Sequence, residues 1–482
     1  GGELHGITGD WPTVFNDYNS RLCLDLSAAF GLKDLLNVNS VKLDVEDLNR
    51  SLKTRLLKTI DEQRLSLAKL LFTDNDQIEK EFSSEEIELL QVNYDFTLRD
   101  NLLPTITEKD LDTFFECLSK SIRFKITAEK LAAVKNIRVA VLGHIEYPQY
   151  YFFAKAVLSR GGKVYFHWPL VFGTIKVLES LDCLKSAKNS KFIDHYKSEY
   201  LAFLEENKQD VETFSHALAE NLSVSRGYDR EKSSLTDLNR KSFLRSCGIT
   251  SAFDNTIVLF SHANSDAVHS NGAMLFGDFS EWLEESVEFF TQHEVNVLVK
   301  VHPKHLTYDI TDFISLMREK FKGVGNFGIV SHHINNSVLA EYADCFVTVN
   351  GSPGLEMAAV GASVVLAGES RYSGLGIAFE PTSPNEYFDI VLNVALQKLS
   401  LGESKQNALN FLYFESVYSV VRSFSVPDMI TFDPNSNIWE QLSQQIGFKR
   451  HEYDELYFAL CDQLRHGAVQ LNSLQYLKNY YG

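Results

Sequence analysis

From residue 256 to residue 367 the chain alternates short apolar runs with longer amphipathic ones, and this alternation limits the fold more than any other feature. Thr256–Phe260, Val295–Val301 and the stretches 327–331, 345–349 and 363–367 each read as a strand. They are short and rich in β-branched and aromatic residues, as expected of strands buried on both faces. Between them, 278–294, 308–321, 336–343 and 353–361 carry helical spacing. Parallel strands need long crossover connections, and helices supply them, so the pattern predicts a doubly wound parallel sheet. A shorter version begins at Ile137–Leu142, runs through a helix to Arg160, and turns at Gly161-Gly162 into a second strand, Lys163–His167. Two such units imply an α/β protein with two Rossmann-like domains facing a cleft, one over 131–253 and one over 254–400.

The flanks differ. Residues 1–130 read as a helical N-terminal region, with Leu48, Leu52, Leu56 and Leu57, then Leu67, Leu70 and Leu71, at helical spacing. No chemical motif is visible there, and a scaffold or interaction role is expected. Residues 170–250 read as polar and mostly helical, with a loop around 223–234. Residues 401–482 read as C-terminal helices, and Ala408–Phe414 as a buried helix that crosses back to the first domain.

The balance of 64 Asp plus Glu against 46 Lys plus Arg gives a net charge of -18. Nucleic acid is thereby disfavoured as a partner, since binding it requires neutralising many phosphates. The 6 cysteines are scattered without a CxxC pair, which argues for reduced thiols rather than a disulfide framework or zinc knuckle. No apolar run reaches membrane-spanning length, and Gly1–Trp11 does not read as a signal peptide. The expectation is a cytoplasmic protein, with at most a peripheral contact to the inner membrane or to assembly proteins.

The residues that could carry chemistry collect at strand ends, where ligands of open α/β sheets gather. Lys300-Val-His302-Pro303-Lys304 offers a turn with imidazole and ammonium donors for phosphate. Thr348-Val-Asn350-Gly351-Ser352-Pro353-Gly354-Leu355-Glu356 joins a strand to a helix N-terminus suited to an anion. There Ser352 suits an N-cap or a phosphate contact, and Glu356 could hold ribose hydroxyls. Ser261 to Gly272 gathers many polar side chains, with Asp266 as candidate nucleophile or general base and His269 beside it, though a plain loop reads nearly as well. Arg371, in the glycine loop Gly368–Gly376, could pair with a phosphate or carboxylate, or stand solvated on a surface loop. His144 and Glu146, ending the first strand of the earlier unit, would face the cleft from its other side. Neither a P-loop nor GxGxxG is present, which weighs against nucleotide triphosphatases and dehydrogenases.

Three of these pieces together resemble bacterial capsule and O-antigen glycosyltransferases of the GT-B type, among surface-carbohydrate biosynthesis proteins related to Kdo transferases. They are Ser265-Asp266-Ala-Val-His269-Ser270 with Leu275–Trp282, Val299–Pro303, and Thr348–Glu356 running on to Gly376. The resemblance covers about 137–420. It implies a GT-B-like fold, with 254–400 binding the nucleotide-sugar and 131–253 on the acceptor side. It also implies that His302, Ser352 and Glu356 hold the donor nucleotide and that Asp266 stands where the retaining β-Kdo transferases keep a nucleophilic aspartate.

The reading is a metal-independent glycosyltransferase that adds a sugar, Kdo or a related acidic sugar from a CMP donor among the candidates, to a surface polysaccharide or glycolipid. Its catalytic set is Asp266, His269 and Glu146. Its nucleotide-binding set is Lys300, His302, Lys304, Ser352, Gly354, Glu356 and Arg371. No cofactor is expected, the nucleotide-sugar being a co-substrate. A nucleotide-sugar epimerase of similar fold and a non-catalytic polysaccharide-assembly protein stay open as alternatives.

Overall fold

The computed structural model describes residues 45–134, 136–167 and 239–417 except 74, 75 and 271, together with 5–8, 34–37, 175–182, 184, 192–211 and 213. The loop expected around 223–234 and the helices expected beyond 417 lie outside the described residues.

Strands β1 (His5–Thr8) and β2 (Asp34–Asn37) form a parallel pair. Five helices follow: α1 (Glu46–Gln63), α2 (Leu67–Phe72), α3 (Asp76–Glu81), α4 (Ser84–Asn101) and α5 (Leu111–Val134). Local chemistry sets their starts. Ser83 and Glu86 form a reciprocal capping box at α4, and Ser66 caps α2 through the Lys69 amide. Next come β3 (Val139–Leu142), α6 (Pro148–Leu158), β4 (Lys163–His167) and β5 (Ile175–Leu178). The first two strands pair in parallel as expected. Strand β5 runs antiparallel to β4, in a stretch read from its polarity as helical. Lys176 interrupts the apolar run of its four residues, which lie in a polar stretch.

After α7 (Phe192–Glu206) and α8 (Arg240–Ser246) the second unit begins. It runs β6 (Asn255–Phe260), α9 (Phe279–Phe290), β7 (Val295–Lys300), α10 (Phe313–Lys320), β8 (Phe327–Val330), α11 (Asn336–Leu339), β9 (Cys345–Thr348), α12 (Ser352–Ala359), β10 (Val364–Leu366), α13 (Pro384–Gln397) and α14 (Ser404–Val417). Every strand expected from 256 to 367 is present, all in one parallel sheet of order β10-β9-β6-β7-β8. The chain runs outward from β6 through β7 to β8, then returns to β9 on the other side of β6. The ends of β6 and β9 therefore mark the point where strand order reverses, the usual ligand crevice of such sheets. Helix α10 starts later than the expected 308 because Asp309 turns the chain first, accepting from the Thr311 and Phe313 amides at 2.8 and 2.7 Å.

The helical region does not stand apart. Helix α4 lies on the second unit along a buried polar seam. The Tyr94 hydroxyl donates to Asp278, the N-cap of α9, at 2.7 Å. Ser280 donates to the Pro104 carbonyl at 2.6 Å, and the Ile310 amide to the Leu102 carbonyl at 3.0 Å. Helix α2 comes close enough that a Cβ on Gly277 would meet Ala68 Cβ and the Lys69 amide nitrogen, each at 2.8 Å. At the other end, α14 packs Phe414 against Tyr200 and Phe203 of α7, with ring centroids 5.2 Å apart in both pairs. Its Glu415 takes a two-pronged ion pair from Arg371, both side chains buried, at 2.5 and 3.3 Å.

Two stability predictions follow from these seams. Arg371→Ala strands the Glu415 carboxylate in the core, at an expected cost of about 3–5 kcal/mol in denaturant unfolding. The double change Arg371→Met with Glu415→Leu recovers most of that loss, whereas additive losses would contradict the buried pairing. The second prediction concerns Glu281, whose Oε2 is buried under α2 without a hydrogen-bond partner. Burial first, then the Asp278 charge, push its carboxyl from 4.5 up to about 7. The folded chain thus holds a proton that the unfolded chain releases near 4.5. Stability from this group is complete below that pH and is lost as pH rises through 7. Glu281→Gln should therefore melt higher than the parent at pH 8, with the gap closing toward pH 4.5; a gap independent of pH would contradict the assignment.

Candidate functional site

Three chain segments converge beside the β6–β9 switch point. One is the loop after β6, Ser261–Ser270. A second is Gly143–Tyr147, between β3 and α6. The third is the face of α4 that carries Asp95 and Arg99. The apolar contact that joins them is a small cluster of Phe96, Cys117 and Tyr147 with Tyr150 and Ala267.

Asp266 stands at the mouth, its side chain 46% exposed and 3.5 Å from the Arg99 guanidinium. That guanidinium lies over the Tyr308 ring at 4.4 Å. Partial burial raises the Asp266 carboxyl above its ordinary range, against the opposing pull of Arg99, His144 and Lys304. The loop reaches this position through a left-handed turn at Ala267, φ +51°, and through Ser265 donating to the Tyr308 carbonyl at 2.6 Å.

His269 sits deeper. Its ring is stacked on Phe72 with centroids 3.4 Å apart. Nδ1 lies 2.6 Å from Asp95 Oδ1, and Nε2 lies 2.7 Å from the Gly277 carbonyl. Both partners are acceptors, and together they hold the ring from its two sides. Its backbone N–H also donates to Asp95, at 3.2 Å. This geometry makes His269 the tie that fixes the loop to α4. Glu146 is likewise enclosed. It accepts from the Ile145 amide at 2.9 Å and lies 3.3 Å from His144 Nδ1. Burial pushes its carboxyl up, but His144 and the Ile145 and Glu146 amides outweigh that and hold it below the ordinary range. The same Glu146 bond raises the half-exposed His144 imidazole, against burial.

On the donor side, His302 and Lys304 form the turn after β7. The His302 amide donates to Ser261 Oγ at 2.9 Å, and the Lys304 amide to His302 Nδ1 at 3.2 Å. Lys304 is exposed. Lys300 is buried instead and donates to the Ser331 carbonyl at 2.6 Å, closing the sheet edge. Gly351, not Ser352, is the N-cap of α12; Ser352 is its first residue. Glu356 accepts from Asn336 Nδ2 at 3.0 Å. Gly354 has a packing reason: a Cβ there would meet the Tyr372 hydroxyl at 2.4 Å, and that hydroxyl donates to the Gly351 carbonyl at 2.9 Å. Arg371, expected as a phosphate contact, is committed to Glu415.

Beneath both halves lies His262, whose Nε2 accepts from the Val349 amide at 3.2 Å and lies 3.1 Å from Thr348 Oγ1. Burial, then the neighbouring His302, press its imidazole down to about 3, so it is neutral and joins the ends of β6 and β9. Among the described residues no group of three His, Cys, Asp or Glu side chains could hold a metal ion, and no helix is long and apolar enough to cross a membrane. A groove of about 380 Å³ between α5 and α6, at the far end of α6 from Tyr147, includes Lys125, Lys155 and Arg160 in its lining. Lys125 is paired with Glu85 and Glu129, and Lys155 with Glu88.

Residues brought to the crevice from α4 were not singled out from the sequence. Asp95 and Arg99 lie in an ordinary helical pattern, and their role depends on where α4 docks.

No curated protein matches the chain by sequence. Among solved structures, the chain is similar to the β-Kdo 2,4 transferase KpsC of Thermosulfurimonas dismutans, at 14% identity and TM-score 0.35 over 64% of this chain and 86% of that one. It is similar to the β-Kdo 2,7 transferase KpsC of the same organism, at 14% identity and TM-score 0.33 over 77% and 98%. It is also similar to a UDP-GlcNAc 2-epimerase of Methanocaldococcus jannaschii, at 12% identity and TM-score 0.28 over 68% and 96%. Residues 257–387, from β6 to the start of α13, match the family model of capsule polysaccharide biosynthesis proteins.

Proposed function

We propose that the chain is a glycosyltransferase of capsule or related surface-polysaccharide synthesis, taking a sugar from a nucleotide donor to a glycan or glycolipid acceptor. One observation carries the reading. At the switch-point edge of the sheet in the family-matched segment stands an accessible carboxylate, Asp266, with the cations Arg99 and Lys304 and the His144 imidazole acting on it.

The nucleotide lies along the ends of β7 and β9. The α12 N-terminus and the Ser352 hydroxyl meet phosphate oxygens, His302 and Lys304 add donors, and Glu356 takes ribose hydroxyls. These groups stabilise the charge that grows on the phosphate as the sugar departs, without a bound metal. Lys300, Gly354 and Arg371 support this edge from behind, and His269 and Glu146 fix the loops that carry Asp266 and His144. An acidic donor sugar, Kdo or a relative carried on CMP, suits the cations around Asp266.

Asp266 has two available routes. It can attack the anomeric carbon as the bond to phosphate breaks, giving a glycosyl-enzyme that the acceptor hydroxyl then displaces with overall retention. It can alternatively take the acceptor's proton in one inverting displacement. Either route needs the ionised carboxylate.

Asp266→Asn should keep the fold and nucleotide affinity while transfer falls by about 100-fold or more. Near-normal turnover in this variant would sink both routes. Because the parent carboxyl is raised, the acid limb of the transfer rate should lie above the ordinary aspartate range. Turnover should survive excess EDTA, and a loss reversed by Mg²⁺ or Mn²⁺ would require a metal in the site. Donor consumption without any acceptor-linked product would favour epimerase chemistry.

A further inference from the structure

Tyr308 touches both partners of the Asp266–Arg99 pair. Its carbonyl accepts from the hydroxyl of Ser265, the residue before Asp266, at 2.6 Å. Its ring lies 4.4 Å from the Arg99 guanidinium, and Arg99 Nη1 stands 3.5 Å from Asp266 Oδ1. Its backbone is fixed on either side. The Tyr308 amide donates to the His305 carbonyl at 3.2 Å, ending the turn that starts at His302 and Lys304. Two residues on, the Ile310 amide donates to the Leu102 carbonyl at the end of α4. Ser265 itself is fully buried.

At 3.5 Å from a half-exposed carboxylate, Arg99 makes a loose pair, which by itself fixes a long side chain poorly. The aromatic face supplies the second contact. It suits arginine, because a flat and weakly hydrated cation stacks on a ring better than an ammonium does. The groups that act on Asp266 are Arg99 from α4, His144 and Glu146 from the loop before α6, and Lys304 from the turn after β7. Burial raises the carboxyl, Arg99 leads the groups that oppose the rise, and Glu146 adds to it. The nearby Tyr147 phenol stays neutral, since burial pushes its ionisation far above the usual range.

We propose that Tyr308 is a positioning residue of the reaction: its ring holds Arg99 and its carbonyl holds the Asp266 loop, so that cation and carboxylate stay face to face. Arg99 comes from outside the family-matched segment 257–387 and Tyr308 from inside it. The helical region thereby contributes a charge to the site, and the turn of His302 and Lys304 shares its anchor with the carboxylate. The word reaction rests on the glycosyltransferase reading; the seating of Arg99 against Asp266 does not.

The test reads Asp266 directly. The full chain and its variants are treated with a water-soluble carbodiimide and glycine ethyl ester over a pH series. The protonated carboxyl is the reactive form, so mass spectrometry of the Asp266 peptide gives its titration midpoint. Arg99→Met keeps the apolar stem and should raise that midpoint by about one pH unit. Tyr308→Leu removes the ring, keeps the carbonyl, and should move the midpoint in the same direction. Tyr308→Phe should stay at the parent value. Arg99→Met combined with Tyr308→Leu should move no further than Arg99→Met alone. The acid limb of the transfer rate should follow these midpoints, with donor KM steady. An unmoved midpoint in Arg99→Met or in Tyr308→Leu, or shifts that add in full, overturns the proposal. Should Tyr308→Leu fail to fold, Arg99→Lys decides. Lysine keeps the charge without the flat face, so its midpoint should fall between those of the parent and Arg99→Met; equality with the parent would contradict the role of the ring. Midpoints that move as stated in a chain that transfers no sugar from any nucleotide donor leave the arrangement standing and remove the glycosyltransferase reading. A chain that transfers sugar while midpoint and acid limb ignore both residues does the reverse.

Discussion

Two buried carboxylates hold this structure in the form that matters. Asp95, on α4, takes the His269 ring and backbone. Asp278, capping α9, takes the Tyr94 hydroxyl. The two bonds run in opposite directions across one seam, from neighbouring residues of the same helix. They set the position of the Ser261–Ser270 loop, and with it the distance between Asp266 and Arg99. A carboxylate left buried without its partner is costly, so the seam resists partial opening. The site is therefore a product of docking, and the helical region is part of it.

The sheet supplies the other half of the constraint. Strand order reverses between β6 and β9, and the neutral His262 bridges their ends by accepting the Val349 amide. With that bridge in place, the turn at His302 and the start of α12 lie along the same edge. Several residues that look like ligands in the sequence are occupied in building this edge. Lys300 closes it onto Ser331, Gly354 makes room for Tyr372, and Arg371 locks the 368–376 loop to α14.

The parallel sheet was legible because its strands are buried on both faces and its helices are amphipathic, two signals that differ in period. Strand β5 was not, because Lys176 breaks its apolar run and the surrounding stretch is polar. Asp266 could be singled out as a carboxylate in a polar strand-end loop. Arg99 could not, since nothing in the α4 pattern distinguishes a charge facing solvent from one facing a loop 167 positions away. The role of His269 in tying the loop was hidden for the same reason: its partners, Asp95, Gly277 and Phe72, are fixed by tertiary contact. Arg371 is the converse case, a cation in a glycine-rich loop that pairs with Glu415 of α14.

The central claim is that a nucleotide binds at the β7–β9 edge. Hydrogen–deuterium exchange of the full chain, with and without CMP, UDP, GDP or dTDP, tests it directly. The account predicts that at least one nucleotide slows exchange in 302–305 and 350–356, with a smaller effect in 261–270 where the sugar would lie. Protection confined to the groove between α5 and α6, or absent with all four nucleotides, would contradict it.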